Sequence, residues 1–208
     1  MLASNYLGHL GRLGNQMFQY ASLRGIAAAR GYDFGIPPSN FDDEWRTHQL
    51  FEVFELPHLP KQNIKYLDGG NAPVAQERSF EFDKSLFDQC PNDISLWGFF
   101  QSEKYFKHIK DSLREDFTFH SNILEPCKEL AESFDNIISL HVRRTDYLTN
   151  KANHHNLELD YYEEALSHFD DDRQVIVFSD DPIWCHDEPT FNDDRFMISE
   201  SEDNAVDL

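Results

Sequence analysis

The sequence predicts an α/β protein in which parallel strands are joined by right-handed crossovers, a Rossmann-like layout. Three observations predict it. Residues 136–142 and 174–179 are short apolar runs of the kind that form buried strands. Residues 160–169 lie between them and carry Tyr161, Ala165 and Phe169 at helical spacing. Residues 13–30 form a second helical stretch, with Gly11 and Gly14 framing a tight turn at its start and Gly31 placed to cap its end. Apolar strands alternating with helices imply parallel pairing with crossovers between the strands.

The elements follow in chain order. Residues 7–10 read as a weak first strand. In the helix over 13–30, Phe18, Ala21, Gly25 and Ala28 share one face, and its small residues permit close packing on a sheet. Residues 33–36 read as a short strand before the turn at Pro37-Pro38. Residues 40–95 are rich in Phe, Asp, Asn and Pro without a long period, and read as loops with short helices and strands. Residues 95–100 form a buried strand, and Ser102 is placed to cap a helix over 103–117. After the strands at 136–142 and 174–179, residues 195–198 supply a third. A boundary in the stretch 118–136 separates an N-terminal domain, 1–130, from a C-terminal one, 131–208.

Charge narrows the function. The chain has 18 Lys+Arg against 38 Asp+Glu, a formal net charge of −20. Hydrophobic residues make up 40% and aromatics 14%, enough for a packed core, so the charge does not imply disorder. The negative balance argues against nucleic acid or an anionic membrane as partner, since both attract basic surfaces. Cys90, Cys127 and Cys185 are odd in number, widely spaced and outside any CxxC or His/Cys metal pattern, which reads as free thiols in a reducing cytosol. The N-terminus has no basic stretch followed by an apolar one, and no segment approaches the ~20 apolar residues of a membrane span. A cytoplasmic protein without a membrane span is expected.

Against that background two adjacent arginines stand out. Arg143 and Arg144 directly follow an apolar strand, in His141-Val142-Arg143-Arg144-Thr145-Asp146. Guanidinium groups bind phosphate through paired, charge-assisted hydrogen bonds. In an open parallel sheet, ligands sit beyond the carboxyl ends of the strands. Ser179-Asp180-Asp181-Pro182 ends the next strand, so neighbouring strands would face both motifs on one crevice: arginines for phosphates, aspartates for a ribose or base edge. A structural reading competes on equal terms. Arg144 and Asp146 can pair with each other or with a neighbouring helix end, and Asp180 can cap a helix opened by Pro182. Gly11-Arg12-Leu13-Gly14-Asn15 lacks both the dinucleotide fingerprint and the P-loop lysine, and reads by itself as a strand-to-helix turn.

Four blocks resemble one family. Residues 11–21 (GRLGNQMFQYA) look like the N-terminal signature of the bacterial α-1,2-fucosyltransferases, glycosyltransferase family 11. Phe99-Phe100-Gln101-Ser102-Glu103-Lys104-Tyr105-Phe106 resembles a second block. Residues 141–147 are similar to the HxRRxD motif that these enzymes share with α-1,6- and protein O-fucosyltransferases, and residues 177–185 resemble a further block. The resemblance implies a GT-B-like fold, two Rossmann-like domains facing a cleft, with the acceptor on the side of the N-terminal one, 1–130, and the donor held mainly by the C-terminal one, 131–208. It implies GDP-β-L-fucose as donor, a galactose-containing acceptor glycan, and an inverting reaction without metal or other cofactor.

It also implies roles. Arg143 contacts the departing phosphate, with Arg144 helping or serving structure. His141 touches the donor or is a satisfied strand-end histidine. Asp146 is the general base or orients an arginine. Asn15 and Gln16 line the donor cleft at a helix N-terminus. Ser179, Asp180 and Asp181 complete the donor site, the two aspartates on guanine and ribose rather than on a metal. Gln101 and Glu103 face the acceptor or act in capping. In the family, residues 203–208 would begin a helix leading to a Ser- and Trp-rich block. Because the sequence ends there, the C-terminal domain is expected to be incomplete. The competing expectations are a truncated enzyme, self-association that covers the open face, or a GDP- or glycan-binding remnant. A transferase using another nucleotide sugar is the alternative within enzymes.

Overall fold

The computed structural model describes residues 1–39, 48–59, 71–134, 136–152 and 154–200. The expected further helix at 203–208 and parts of the loop-rich stretch, 40–47 and 60–70, lie outside the described residues. The chain divides into two compact units, Met1–Ser121 and Asn122–Leu208. Both are α/β, and each carries an all-parallel sheet.

In the first unit the strands are β1 (Leu2–Ala3), β2 (Phe34–Gly35), β3 (Val74–Gln76) and β4 (Ile94–Trp97), in the order β2-β1-β4-β3. The first strand is therefore not at 7–10; that segment is a turn, with Leu7 and His9 amides donating to Ser4 and Tyr6 carbonyls at 3.1 and 3.0 Å. Helix α1 (Leu13–Arg30) ends where Gly31 adopts φ 68°, its amide returning to the carbonyls of the last turn. The face of α1 differs from the one expected. Phe18 is 37% exposed and Ala28 is exposed, while Tyr20, Leu23, Ile26 and Ala27 are buried. Gly25 does allow a close approach, but to the backbone of Tyr105 and Phe106, not to a sheet: an added Cβ would sit 2.7 Å from Phe106 Cα. Short helices α2 (Leu50–Val53) and α3 (Lys84–Gln89) follow.

The single helix predicted over 103–117 is three pieces. Two 3-10 turns, Glu103–Tyr105 and Lys107–Ile109, precede α4 (Lys110–Asp116), and Ser102 makes no side-chain cap. Buried Tyr105 sits at the break and packs against Phe82 and Phe100. A buried ion pair locks α4 to α1. Asp116 takes Arg24 on one oxygen, which Tyr20 Oη also reaches at 2.8 Å, and the His58 amide and Nδ1 on the other, each at 3.0 Å. Burial beside Asp116 drives the Tyr20 hydroxyl strongly away from ionising.

The second unit opens with α5 (Ser121–Glu132), a helix with Pro126 inside it that the sequence reading did not foresee. It is followed by β5 (Ile137–Val142), α6 (Thr145–Thr149), α7 (Leu159–Leu166), β6 (Gln174–Ser179), α8 (Pro182–Asp187) and β7 (Phe196–Ile198). Strand order β5-β6-β7 follows chain order. Val142, Val175 and Val177 face Tyr162 and Leu166 of α7 and Cys185 of α8, closing one core with Phe191. Alternation along β5 leaves Ser139 and His141 exposed on the other face.

Candidate functional site

In the second unit the pairing of β5 with β6 ends at Val142 opposite Ser179. The two chains leave the sheet side by side at their carboxyl ends, one as Arg143-Arg144-Thr145-Asp146 and the other as Asp180-Asp181-Pro182. Asp180 joins them. One of its oxygens accepts the Arg144 amide at 2.8 Å; the other accepts the Thr145 amide at 3.2 Å and the Thr145 hydroxyl, and lies 3.3 Å from Arg143 Nε. A largely buried carboxylate thus shapes the arginine turn from the neighbouring strand.

The arginines are held by different means. Arg143 donates from Nε and Nη2 to the two oxygens of Asp146 at 2.9 and 2.7 Å, a two-bond fork. The one-turn helix α6 places Asp146 three residues on, within reach. Hydrogen bonding from Arg143 holds the Asp146 carboxyl below the usual carboxylate range, and the same pairing raises the guanidinium. Arg144 lies 3.8 Å from the centroid of the Trp184 ring, with Nε 3.4 Å from Asp181. Among the described residues, Arg143 Nη1 and both Nη atoms of Arg144 carry no hydrogen bond.

Asp146 pairs with Arg143 rather than with Arg144, and Arg144 meets a neighbouring helix end, that of α8, at Asp181 while stacking on Trp184. The cap of α8 is Asp181, which accepts the Trp184 amide at 3.3 Å; Asp180 is already committed to the arginine turn. Ser179 Oγ accepts the Asp181 amide at 3.0 Å and so serves the same turn. His141 is exposed at the end of β5, and among the described residues its side chain makes no hydrogen bond. Tyr147 stacks face to face on His154, centroids 4.3 Å apart, and lies beside Arg143.

In the first unit, Gln101 Nε2 donates to Asn15 Oδ1 at 2.6 Å, which brings the start of α1 to the segment after β4. Gln16 is buried and its Oε1 accepts the Gln49 amide at 2.9 Å; its side chain is spent inside the unit rather than lining an open cleft. Glu103 is exposed. Residues not foreseen are Thr145, whose role is a contact to Asp180, and Trp184, three residues after the helix cap, where an aromatic could have been flagged. Glu77, which accepts the Phe99 and Phe100 amides at 2.8 and 3.0 Å, gives no local signal, because its partners lie 22 and 23 residues away. Among the described residues no three His, Cys, Asp or Glu side chains gather as a metal ion would need, and no helix is long and apolar enough to cross a membrane.

Comparison with known proteins adds to this geometry. The family model described as "Glycosyl transferase family 11" matches residues 75–206. An O-antigen biosynthesis glycosyltransferase WbnK of Escherichia coli is 29% identical over 245 residues, covering 95% of this chain and 80% of the relative. An alpha-1,2-colitosyltransferase of Escherichia coli is 29% identical over 201 residues, 84% of this chain and 68% of its own. The galactoside alpha-(1,2)-fucosyltransferase 2 of Sus scrofa is 26% identical over 192 residues, 85% of this chain and 53% of its own, so the chain spans about half that relative. Among solved structures, NodZ alpha-1,6-fucosyltransferase soaked with GDP-fucose superposes with a TM-score of 0.57 at 14% identity, covering 98% of this chain and 78% of NodZ.

Proposed function

The chain belongs to glycosyl transferase family 11, and from that premise we propose that it transfers L-fucose from GDP-β-L-fucose to a hydroxyl of a galactoside, forming an α-1,2 linkage with inversion. The observation that carries the proposal is the arginine turn, fixed at the carboxyl ends of two parallel strands by Asp146 and Asp180 with guanidinium N–H groups left over. The names of the fucosyl- and colitosyltransferase relatives support the sugar class and linkage, and the mammalian relative's name supports the galactoside. The likeness to NodZ supports the α/β fold of the chain.

In this reaction the acceptor oxygen bonds to the anomeric carbon while the bond to the β-phosphate oxygen breaks on the opposite face. GDP leaves with the bonding pair, and the hydroxyl proton passes to a base. The transition state has oxocarbenium character. Charge growing on the β-phosphate is met by Arg143, whose remaining N–H edge is presented without reorganisation. Arg144, fixed on Trp184, adds a second cation. Asp146 orients Arg143: both its oxygens are engaged and its basicity is lowered, which suits an orienting group better than a base. His141, exposed at the end of β5, contacts the donor. Asp180 and Asp181 act in this scheme by shaping the pocket wall.

The test is transfer from GDP-fucose to lactose. Arg143→Ala is expected to lower kcat by about 10²–10³ with circular dichroism unchanged; wild-type turnover in that variant removes the phosphate role. The relative named as a colitosyltransferase favours a second reading, a colitosyl donor. Competition between the two donors decides between them, and stronger inhibition by UDP than by GDP would move the nucleotide class altogether. GDP binding without transfer to any galactoside would leave a nucleotide-binding remnant.

A further inference from the structure

We propose that His154 takes the proton of the acceptor hydroxyl, and that its stack on Tyr147 holds it for that task. The proposal rests on the reading of the chain as an inverting transferase, in which the destination of that proton is open, and it uses residues of the second unit alone. As the acceptor oxygen bonds to the anomeric carbon, its O–H bond breaks and the proton moves to an imidazole nitrogen. The bond from the anomeric carbon to the β-phosphate oxygen breaks in the same step, and GDP leaves with that electron pair. The imidazolium then gives its proton to water.

The carboxylates of the arginine turn are committed elsewhere. Both oxygens of Asp146 accept N–H groups of Arg143. Those of Asp180 accept the Arg144 and Thr145 amides and the Thr145 hydroxyl. Asp181 caps α8 with one oxygen and accepts Arg144 Nε with the other. His154 is differently placed. It is half-buried, and among the described residues neither of its ring nitrogens makes a hydrogen bond. A neutral imidazole keeps one nitrogen lone pair for a proton, and histidine is the side chain most often used as a general base.

The ring is nonetheless fixed. After α6 the Asn150 amide returns to the Asp146 carbonyl at 3.0 Å, and the His154 amide returns to the Asn150 carbonyl at 3.0 Å. The chain so folded lays the imidazole parallel to the Tyr147 ring, with centroids 4.3 Å apart and 5° between the planes. Tyr147 also lies beside Arg143, whose Cζ is 5.9 Å from the ring centroid. The Asp146 carboxyl, held down chiefly by Arg143, feels the charge of His154 as well. The imidazole thus borders the arginine turn with no hydrogen bond to Arg143. An in-line displacement calls for that arrangement, because the sugar carbon stands between the leaving phosphate and the attacking hydroxyl. In inverting glycosidases the two working groups stand about 6.5–9.5 Å apart, and a tyrosine ring shared by Arg143 and His154 admits a spacing of that size. His155, the next residue, is exposed and stacks on no ring among the described residues.

The experiment measures fucose transfer to lactose with the full chain, and GDP affinity by calorimetry on the same preparations. His154→Ala is expected to lower kcat by about 10²–10⁴ with the GDP Kd within about twofold of wild type. Added imidazole is expected to restore part of the lost turnover, and His155→Ala to turn over as the wild type does. Tyr147→Ala is expected to lower kcat, and Tyr147→Phe, which keeps the stack, to recover it. Unchanged turnover in His154→Ala overturns the base and leaves the transferase reading standing. A loss that imidazole does not restore marks a structural role and overturns the base too. A Tyr147→Phe variant as slow as Tyr147→Ala overturns the part given to the stack. A wild type that binds GDP but transfers fucose to no galactoside overturns the transferase reading, and the base falls with it.

Discussion

Arg143 spends Nε and Nη2 on Asp146, and that commitment decides how the site responds to acid. The Asp146 carboxyl is depressed, chiefly by the hydrogen bond from Arg143. A depressed carboxyl keeps its pair intact above the unfolded value of about 3.9 and loses it only as pH falls through the lower folded value. The pair therefore does not titrate between pH 5 and 8. Asp146→Asn is expected to lower kcat/KM by about tenfold or more, because one arm of the fork is lost, while any acid limb in that window stays where it is. A limb that moves in the variant would show Asp146 titrating as a base there. At this scale the position of the arginine doublet at a strand end, beside the Asp180-Asp181 turn, was legible, and its pairing was not. Which arginine takes which carboxylate depends on the direction of one helical turn and on Trp184, 40 residues further on, and no local pattern carries that.

Among the elements, α1 is the most sharply constrained. Its Gly25 meets the carbonyl carbon of Tyr105 and the Cα of Phe106, at 2.8 and 2.7 Å from where a Cβ would stand. Backbone cannot swing aside as a side-chain tip can. Gly25→Ala gains helix propensity but forces α1 off the 3-10 turn, and is expected to cost about 1–3 kcal/mol net, read as a fall in denaturation midpoint at unchanged slope. A stabilised variant would mean that the turn yields. The elements also show what a sequence reveals. β5 and β6 were visible because six consecutive residues of each pair in register and are largely apolar. β1 and β2 have two residues each, too few for any period, so the first strand was sought at 7–10 instead of Leu2–Ala3. α5 was hidden by Pro126 and by polar residues around it. The helix expected over 103–117 broke at Tyr105 because burying that ring outweighed helical continuity.

Over the whole molecule, a net charge of −20 opposes an anionic donor, and a few local cations must overcome it. Long-range repulsion is screened by salt more readily than the close Arg143 and Arg144 contacts. The association rate of GDP-fucose is therefore expected to rise between about 10 and 150 mM salt, the reverse of a protein that draws polyanions through its overall field. Stopped-flow measurement of donor binding across that range checks it, and a monotonic fall would show that local attraction governs the encounter.

The two strand orders carry a consequence for how the chain acquires its shape. In β5-β6-β7 each strand finds its partner in the next strand to be made, so the segments to be closed are far shorter than in the first sheet. In β2-β1-β4-β3, Leu2 pairs with Ile94. β1 thus waits for more than ninety residues before β4 can pair with it, and one of its edges is unpaired in the meantime. Of the two units, the one synthesised first is therefore expected to form the more slowly, with its open edge exposed to capture until β4 arrives.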